Sequence, residues 1–216
     1  MNNNVQYNQM SDLVLNHLAE QLYLQGYCVV NDLLPLTLIE SLTRRITHPD
    51  AILEPAGIGR LDDHHINQTI RTDTIHWLDP KHTIDALYLS AMEALRLAIN
   101  KRLFLGLFDY ESHFAHYPPN GFYKKHQDAF TGQSNRILTT VLYLNNQWSE
   151  NDGGELIIYN LSGDQIMCVE PKAGYFVIFL SDEFPHEVIK TKKDRYSIAG
   201  WFRINSSTEH KVDPPL

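Results

Sequence analysis

From Gly106 onward the chain reads as short strands separated by tight turns, and this pattern limits the fold more than any other feature. The strand candidates are 111–117, 122–127, 137–145, 155–160, 165–170, 175–180, 186–189 and 196–204. Turn signals separate several of them: Pro118-Pro119-Asn120-Gly121, Asn151-Asp152-Gly153-Gly154, Ser162-Gly163-Asp164 and Lys172-Ala173-Gly174. Eight short strands at this spacing predict a double-sheet jelly roll, also called a double-stranded β-helix.

The first half has a different texture. Residues 11–25 place Val14, Leu15, Leu18 and Leu22 at helical spacing, with Ser11 to cap the start and Gly26 to stop it. A strand candidate follows at 27–30, and Pro35 opens a second helix with Leu38, Ile39, Leu42 and Ile46 on one face. Residues 47–68 carry Pro49, Pro55, Gly57 and Gly59 without a period and read as a long loop. A strand is expected at 75–78. The longest helical pattern runs over 83–105, with Ile84, Leu87, Tyr88, Ala91, Leu95 and Ala98 as its apolar stripe. The fold class is therefore α+β and mainly β, with N-terminal helices packed on one sheet. With 216 residues and no linker, one domain is expected, 1–105 as helical support and 106–205 as jelly-roll core.

Composition removes some functions. A net charge of −8 argues against a nucleic-acid partner. The two cysteines, Cys28 and Cys168, both sit in apolar runs and read as buried thiols, which suits a reducing compartment. Neither a signal peptide nor a membrane span is read. The expectation is a soluble cytoplasmic protein, monomeric by default, with no membrane partner.

His126-Gln127-Asp128 carries the chemistry. On a strand, residues two apart share a face, so a nitrogen and a carboxylate oxygen are offered to one ion. His186 is the candidate third ligand, and such a triad leaves three positions of an octahedral iron open. With 11 His and 15 Asp, chance gives about one His-x-Asp. Two are present; the other, His48-Pro49-Asp50, lies in a turn-rich stretch and reads as the chance copy. Arg195 opens the last strand with Ser197 on its face. An inward Arg is costly without an anion, and a dicarboxylate reaching from the metal to Arg195 would satisfy it. A surface Arg beside Lys192, Lys193 and Asp194 is the alternative. Tyr143 shares a face with Val141, which fits either an inward hydroxyl in need of a partner or a core tyrosine.

Residues 117–203 resemble the prolyl 4-hydroxylase group of Fe(II)/2-oxoglutarate-dependent dioxygenases, in particular the hypoxia-inducible-factor prolyl hydroxylases and their short bacterial homologues. The resemblance is carried by Tyr117-Pro118, Tyr123, His126-x-Asp128, Arg136, Tyr143-Leu144-Asn145, Gly153-Gly154-Glu155-Leu156, Pro185-His186-Glu187-Val188, Arg195-Tyr196 and Trp201-Phe202. Looser matches are Gly26–Val30 and Ile70-Arg71-x-Asp73 with Trp77. It implies iron(II) on His126, Asp128 and His186, with 2-oxoglutarate and O2 as cosubstrates and ascorbate as a stimulant. It implies that Arg195 and Tyr143 bind the distal carboxylate of 2-oxoglutarate, and that Tyr117 bonds near its iron-bound end. Leu156, Val188 and Val141 would line its apolar flank, and Trp201 the floor. Arg136, Tyr123 and Asp62 would lie at the substrate entrance, with 57–69 as a segment that folds over substrate. The turn after Pro118 and the stretch between Asp128 and Arg136 depart from the animal enzymes, near the entrance.

The resemblance implies hydroxylation of a prolyl residue in a protein or peptide, with elongation factor Tu as the substrate suggested by the short bacterial forms. Hydroxylation of a free amino acid or small metabolite stands beside it. So does a non-catalytic iron/2-oxoglutarate-binding sensor module, and a cupin-type isomerase is a third class. Asp62-Asp63-His64-His65 reads as a solvated loop rather than a second metal cluster. His113 and His116 fall on opposite strand faces, which predicts no metal there. Trp148 and Trp201 read as packing residues. Lys124 and Lys125 suit either an acidic substrate or a solvated edge.

Overall fold

The structure, a computed structural model, describes residues 10–57, 67–129 and 135–205. Among them, eleven strands form two antiparallel sheets. The strands are β1 (Tyr27–Val30), β2 (Glu54–Pro55), β3 (Thr74–Trp77), β4 (Asp109–Tyr117), β5 (Tyr123–His126) and β6 (Arg136–Tyr143). They continue as β7 (Leu156–Tyr159), β8 (Gln165–Val169), β9 (Phe176–Leu180), β10 (His186–Val188) and β11 (Arg195–Arg203). The larger sheet has the order β1-β9-β6-β11-β4-β3-β2, and the smaller β5-β10-β7-β8. From β4 onward the chain alternates between the sheets except at the β7–β8 hairpin, which stays in the smaller one, and this is the jelly-roll pattern expected. β1, β2 and β3 come from the first 105 residues, so that region supplies sheet as well as helices. Glu54 and Pro55 pair with Ile75 and Thr74, inside a stretch the sequence presents as loop.

Three helices cover the outer face of the larger sheet. In α1 (Asp12–Gln25), the Ser11 side chain accepts from the Val14 amide, and Gly26 at φ 79° ends the helix. Helix α2 (Leu36–Ile46) starts after Pro35 and buries the expected Leu38, Ile39, Leu42 and Ile46. Helix α3 (Thr83–Leu103) buries Asp85, Tyr88, Met92, Leu95 and Ile99. Its burial line is thus turned about one residue from the expected stripe. Asp85 lies on that line, its carboxylate accepting from the Asp79 amide and lying near Arg45 and His82.

Strand parity divides the apolar residues into two cores. Phe114, Leu138, Leu142, Phe176, Ile178, Ile198 and Phe202 face the helices. Their neighbours Ala115, Val141, Tyr143, Val177 and Phe179 face the smaller sheet, with Leu156, Ile158 and Val188. Of the two cysteines, Cys28 is buried as expected and its thiol is pushed up to about 11 by burial. Cys168 is exposed, contrary to expectation, because β8 is the outermost strand of its sheet.

Candidate active site

The inner face of the larger sheet can be followed row by row from strand registers. One row runs Trp77, His113, Ala199, Val141; the next runs Ile75, Ala115, Ser197, Tyr143. A third pairs Glu111, Trp201 and Thr139, and Arg195 pairs with Tyr117 at the far end. A cavity of about 680 Å³ lies over these rows, and Leu156, Val188, His126, Asp128 and His186 close it from the other side.

Across β5 and β10, His126 and His186 are direct register partners, which brings their rings to 4.3 Å. Asp128 joins them by another route than expected. β5 ends at His126, so Asp128 sits in the bend beyond it rather than on the strand. The bend is held by two bonds. Gln127 donates to the Asp182 carbonyl at 3.0 Å, and Thr139 Oγ1 donates to Asp128 Oδ2 at 2.8 Å. Each carboxylate oxygen then faces one imidazole: Oδ1 lies 3.6 Å from His126 Nε2, and Oδ2 lies 3.6 Å from His186 Nε2. The three side chains offer ligand atoms within 4.8 Å of one another, and no other such group occurs among the described residues.

The electrostatics favour a cation at this point. His126 Nδ1 lies 2.8 Å from the Lys124 carbonyl, and His186 Nδ1 lies 3.1 Å from that of Phe184. A carbonyl only accepts, so both Nδ1 atoms donate and both Nε2 lone pairs are turned to the cluster. Burial, then repulsion from His126, pushes His186 down to about 4, so it is neutral near pH 7. Burial opposes the charge on Asp128, but the two imidazoles and Arg136 outweigh it and hold its carboxyl well below the usual range.

At the far end Arg195 is 1% exposed. Its Nε donates to the Gly154 carbonyl at 2.8 Å and its Nη1 to Ser197 Oγ at 3.3 Å. No carboxylate among the described residues pairs with it; the rings of Tyr117 and Tyr143 flank it at 5.0 and 5.1 Å. The Tyr143 hydroxyl is fully buried beside Arg195, and no acceptor for its hydrogen lies within reach among the described residues. Burial pushes this phenol up to about 12 and Tyr117 higher still, so both remain protonated donors. A buried guanidinium and an unsatisfied buried hydroxyl require an acceptor between them, and a carboxylate meets both. Gly153 and Gly154, at φ 70° and 73°, let the chain pass this close: a Cβ on Gly154 would lie 3.1 Å from Arg195 Cδ.

The other expected residues divide clearly. Tyr123 stacks on His126 at 3.5 Å, with Arg71 held 4.4 Å from its ring. Arg136 lines the cavity, pairs with Glu111 at 2.7 Å and lies 3.6 Å over Trp201. Trp201, which reads as packing by itself and as the pocket floor by resemblance, lines the cavity, its Nε1 unpartnered among the described residues. Trp148 does pack, its Nε1 bonded to the Gly153 carbonyl. Lys124 and Lys125 are exposed, with Lys125 3.2 Å over the Tyr159 ring. His48 and Asp50 are both exposed, as suits a chance motif. His116 pairs with Asp194 while His113 faces the cavity, the opposed orientation expected. Asp62, the Asp62–His65 cluster and most of 57–69 lie outside the described residues. Sequence reading missed Thr139, Glu111, Ile75 and the cavity role of His113. Only their parity with Tyr143, Tyr117 and Trp77 pointed to them.

Comparison with known proteins agrees with this geometry. Residues 112–203 match the model of the 2OG-Fe(II) oxygenase superfamily. A prolyl-4-hydroxylase from Pseudomonas putida superposes with a TM-score of 0.79 at 41% identity, covering 88% of this chain and 99% of that one. A Trichoplax adhaerens prolyl hydroxylase, solved with a hypoxia inducible factor oxygen degradation domain peptide fragment, gives 0.76 at 25% identity, covering 88% and 89%. The hypoxia-inducible factor prolyl hydroxylase of Caenorhabditis elegans is 31% identical over 163 residues, 68% of this chain, and the chain spans 22% of that relative's length. The chain belongs to the 2OG-Fe(II) oxygenase superfamily and is a homologue of its prolyl hydroxylases.

Proposed function

We propose that this protein is an iron(II)- and 2-oxoglutarate-dependent hydroxylase of prolyl residues in a protein or peptide, with the whole site in one domain. The observation that carries the reading is Arg195. It is a buried cation with no acidic partner among the described residues, across one cavity from two imidazoles and a carboxylate.

In this reading His126 Nε2, His186 Nε2 and a carboxylate oxygen of Asp128 hold iron(II), and Thr139 fixes the carboxylate. Arg195 and the Tyr143 hydroxyl bind the distal carboxylate of 2-oxoglutarate, and Tyr117 donates nearer the metal. Leu156, Val188 and Val141 exclude water from its carbon chain. When bound, iron with 2-oxoglutarate and O2 supplies the oxidising power for hydroxylation of an unactivated C–H bond. Tyr123, Arg136 and Trp201 stand where substrate enters, and Asp62 is assigned there from resemblance alone. Bound peptide in the Trichoplax relative supports a peptide substrate, and the short bacterial forms make elongation factor Tu the first protein to try. The free thiols suit a cytoplasmic setting.

The test mixes the protein with iron(II), 2-oxoglutarate, ascorbate, elongation factor Tu and a panel of prolyl peptides. The expected result is succinate formation and a gain of about 16 Da, the mass of one oxygen, on proline. Hydroxylation of free proline alone would point to a metabolite enzyme. Tight 2-oxoglutarate binding without any turnover would point to a sensor.

A further inference from the structure

His113 lines the cavity, and the reading above leaves its chemistry unused. It sits at the centre of β4, its side chain 4% exposed, between the indole of Trp77 at 5.1 Å and that of Trp201 at 5.5 Å. Its cross-strand neighbour on the other side is Ala199, whose single methyl leaves room beside the ring. Nδ1 lies 3.1 Å from the Phe114 carbonyl. That oxygen can only accept, so Nδ1 carries the hydrogen. Burial first, and Arg71 after it, pushes the imidazole down to about 4, against the opposing pull of Asp73. The ring is therefore neutral near pH 7, and Nε2 keeps its lone pair with no partner among the described residues. The cations nearby have acids of their own: Arg71 with Asp73 at 2.5 Å and Arg136 with Glu111 at 2.7 Å. This part of the cavity thus presents two indoles, that of Trp201 with an N–H unpartnered among the described residues, together with one bare acceptor and no uncompensated charge. It contrasts with the opposite end, where the Arg195 guanidinium presents donors beside the Tyr143 hydroxyl.

We infer that His113 is a substrate-positioning residue whose Nε2 accepts a hydrogen bond from an uncharged N–H or O–H donor next to the reacting carbon. The inference rests on the prolyl hydroxylase reading and names what that substrate must carry. The nitrogen of a prolyl residue within a chain has no hydrogen, so the donor comes from a neighbouring residue, through its backbone amide or its side chain. Selectivity among prolyl sites then depends on this neighbour as well as on the proline ring.

Two measurements test it. Nitrogen-15 NMR of imidazole-labelled wild-type protein reads the tautomer directly and needs no variant to fold. The expected signal at pH 7 is a neutral ring protonated at Nδ1; a ring protonated at Nε2, or a cationic one, overturns the inference. Steady-state kinetics then compare His113→Leu with His113→Gln, whose amide oxygen restores an acceptor, on the best prolyl peptide of the panel. His113→Leu is expected to raise the peptide KM about 3- to 10-fold, the worth of one hydrogen bond. The KM for 2-oxoglutarate is expected to stay near wild type and His113→Gln to recover the peptide KM. An unchanged peptide KM in both variants, or an equal rise in both, contradicts the inference alone. A wild type that consumes 2-oxoglutarate but hydroxylates no prolyl peptide contradicts the functional reading, and the inference falls with it.

Discussion

The two faces of the larger sheet are built from the same strands and do opposite work. Outward, Phe114, Leu138, Leu142, Ile178, Ile198 and Phe202 are fully buried against three helices, and the polar atoms among them are tied up within the core, as in the Tyr88–Tyr110–Thr140 hydroxyl chain. One residue along each strand, the inward face carries Tyr143 and Glu111, and Thr139, Ser197, Arg195 and His113 line a cavity. The outer face removes apolar area from water and holds the sheet rigid. The inner face keeps donors, acceptors and open volume, features that cost stability unless a ligand fills them. A single-residue step in parity therefore separates a residue that holds the fold from one that operates the site.

The sharpest way to break this contrast is one substitution on each face. His186→Ala should abolish metal binding and turnover while leaving the fold intact, since it removes one of the three proposed ligands from a preformed cavity. Leu142→Ala, on the outer face, should cost about 2–5 kcal/mol in urea unfolding and leave the KM for 2-oxoglutarate unaltered. Equal loss of stability in the two would show that the faces are not separable.

Arg195→Met comes next. Loss of a buried charge-assisted pair should raise the KM for 2-oxoglutarate on the order of 100-fold. Without ligand, the same variant should be as stable as wild type or more so, because the native guanidinium has no acid among the described residues. A marked loss of ligand-free stability would contradict an anion site.

Thr139→Val keeps the shape of the side chain but removes the hydroxyl that holds Asp128 Oδ2. Iron affinity, read by equilibrium dialysis, should fall about 10-fold, in the range typical of groups that orient metal ligands. No change would mean that the Gln127 bond alone sets the bend.

The last effect concerns pH. His113 falls from 6.5 to about 4 in the folded protein, chiefly through burial. As pH drops below 6.5 the unfolded chain takes up the proton first, so stability present above that value is lost on the way to 4. Replacing His113 with Gln should recover on the order of 2 kcal/mol of that loss in urea unfolding at pH 4.5 relative to pH 7. A parallel fall in both proteins would assign the acid sensitivity elsewhere, His186 being the next candidate.

The inner face was partly legible in the sequence, and the outer face largely so. Strand parity and helical spacing are local signals, which is why α1, α2 and the β-rich half can be read directly. His126, Asp128 and His186 stand out because few residue types bind metal, although the strand geometry first offered for Asp128 is not the one used. Thr139 was hidden because a threonine in a strand is ordinary, and its role exists only once the bend after β5 folds over it. In helix α3 the expected Tyr88 and Leu95 are buried and Ile84, Leu87 and Ala91 pack partly buried against the core, while Asp85 is a buried acceptor that hydrophobic periodicity cannot register. His113 was seen only as half of a rejected metal pair. Its function depends on Trp77 and Trp201, 36 residues before it and 88 after it.

The most direct test of the central claim is anaerobic titration of the protein with iron(II) and 2-oxoglutarate, followed by visible absorption. A cosubstrate chelating iron in this cavity should produce a charge-transfer band that saturates at one iron per chain. The band should vanish in His186→Ala and require far more 2-oxoglutarate in Arg195→Met. Wild-type protein that gives no band, or a band indifferent to both substitutions, would contradict the assignment of this cavity.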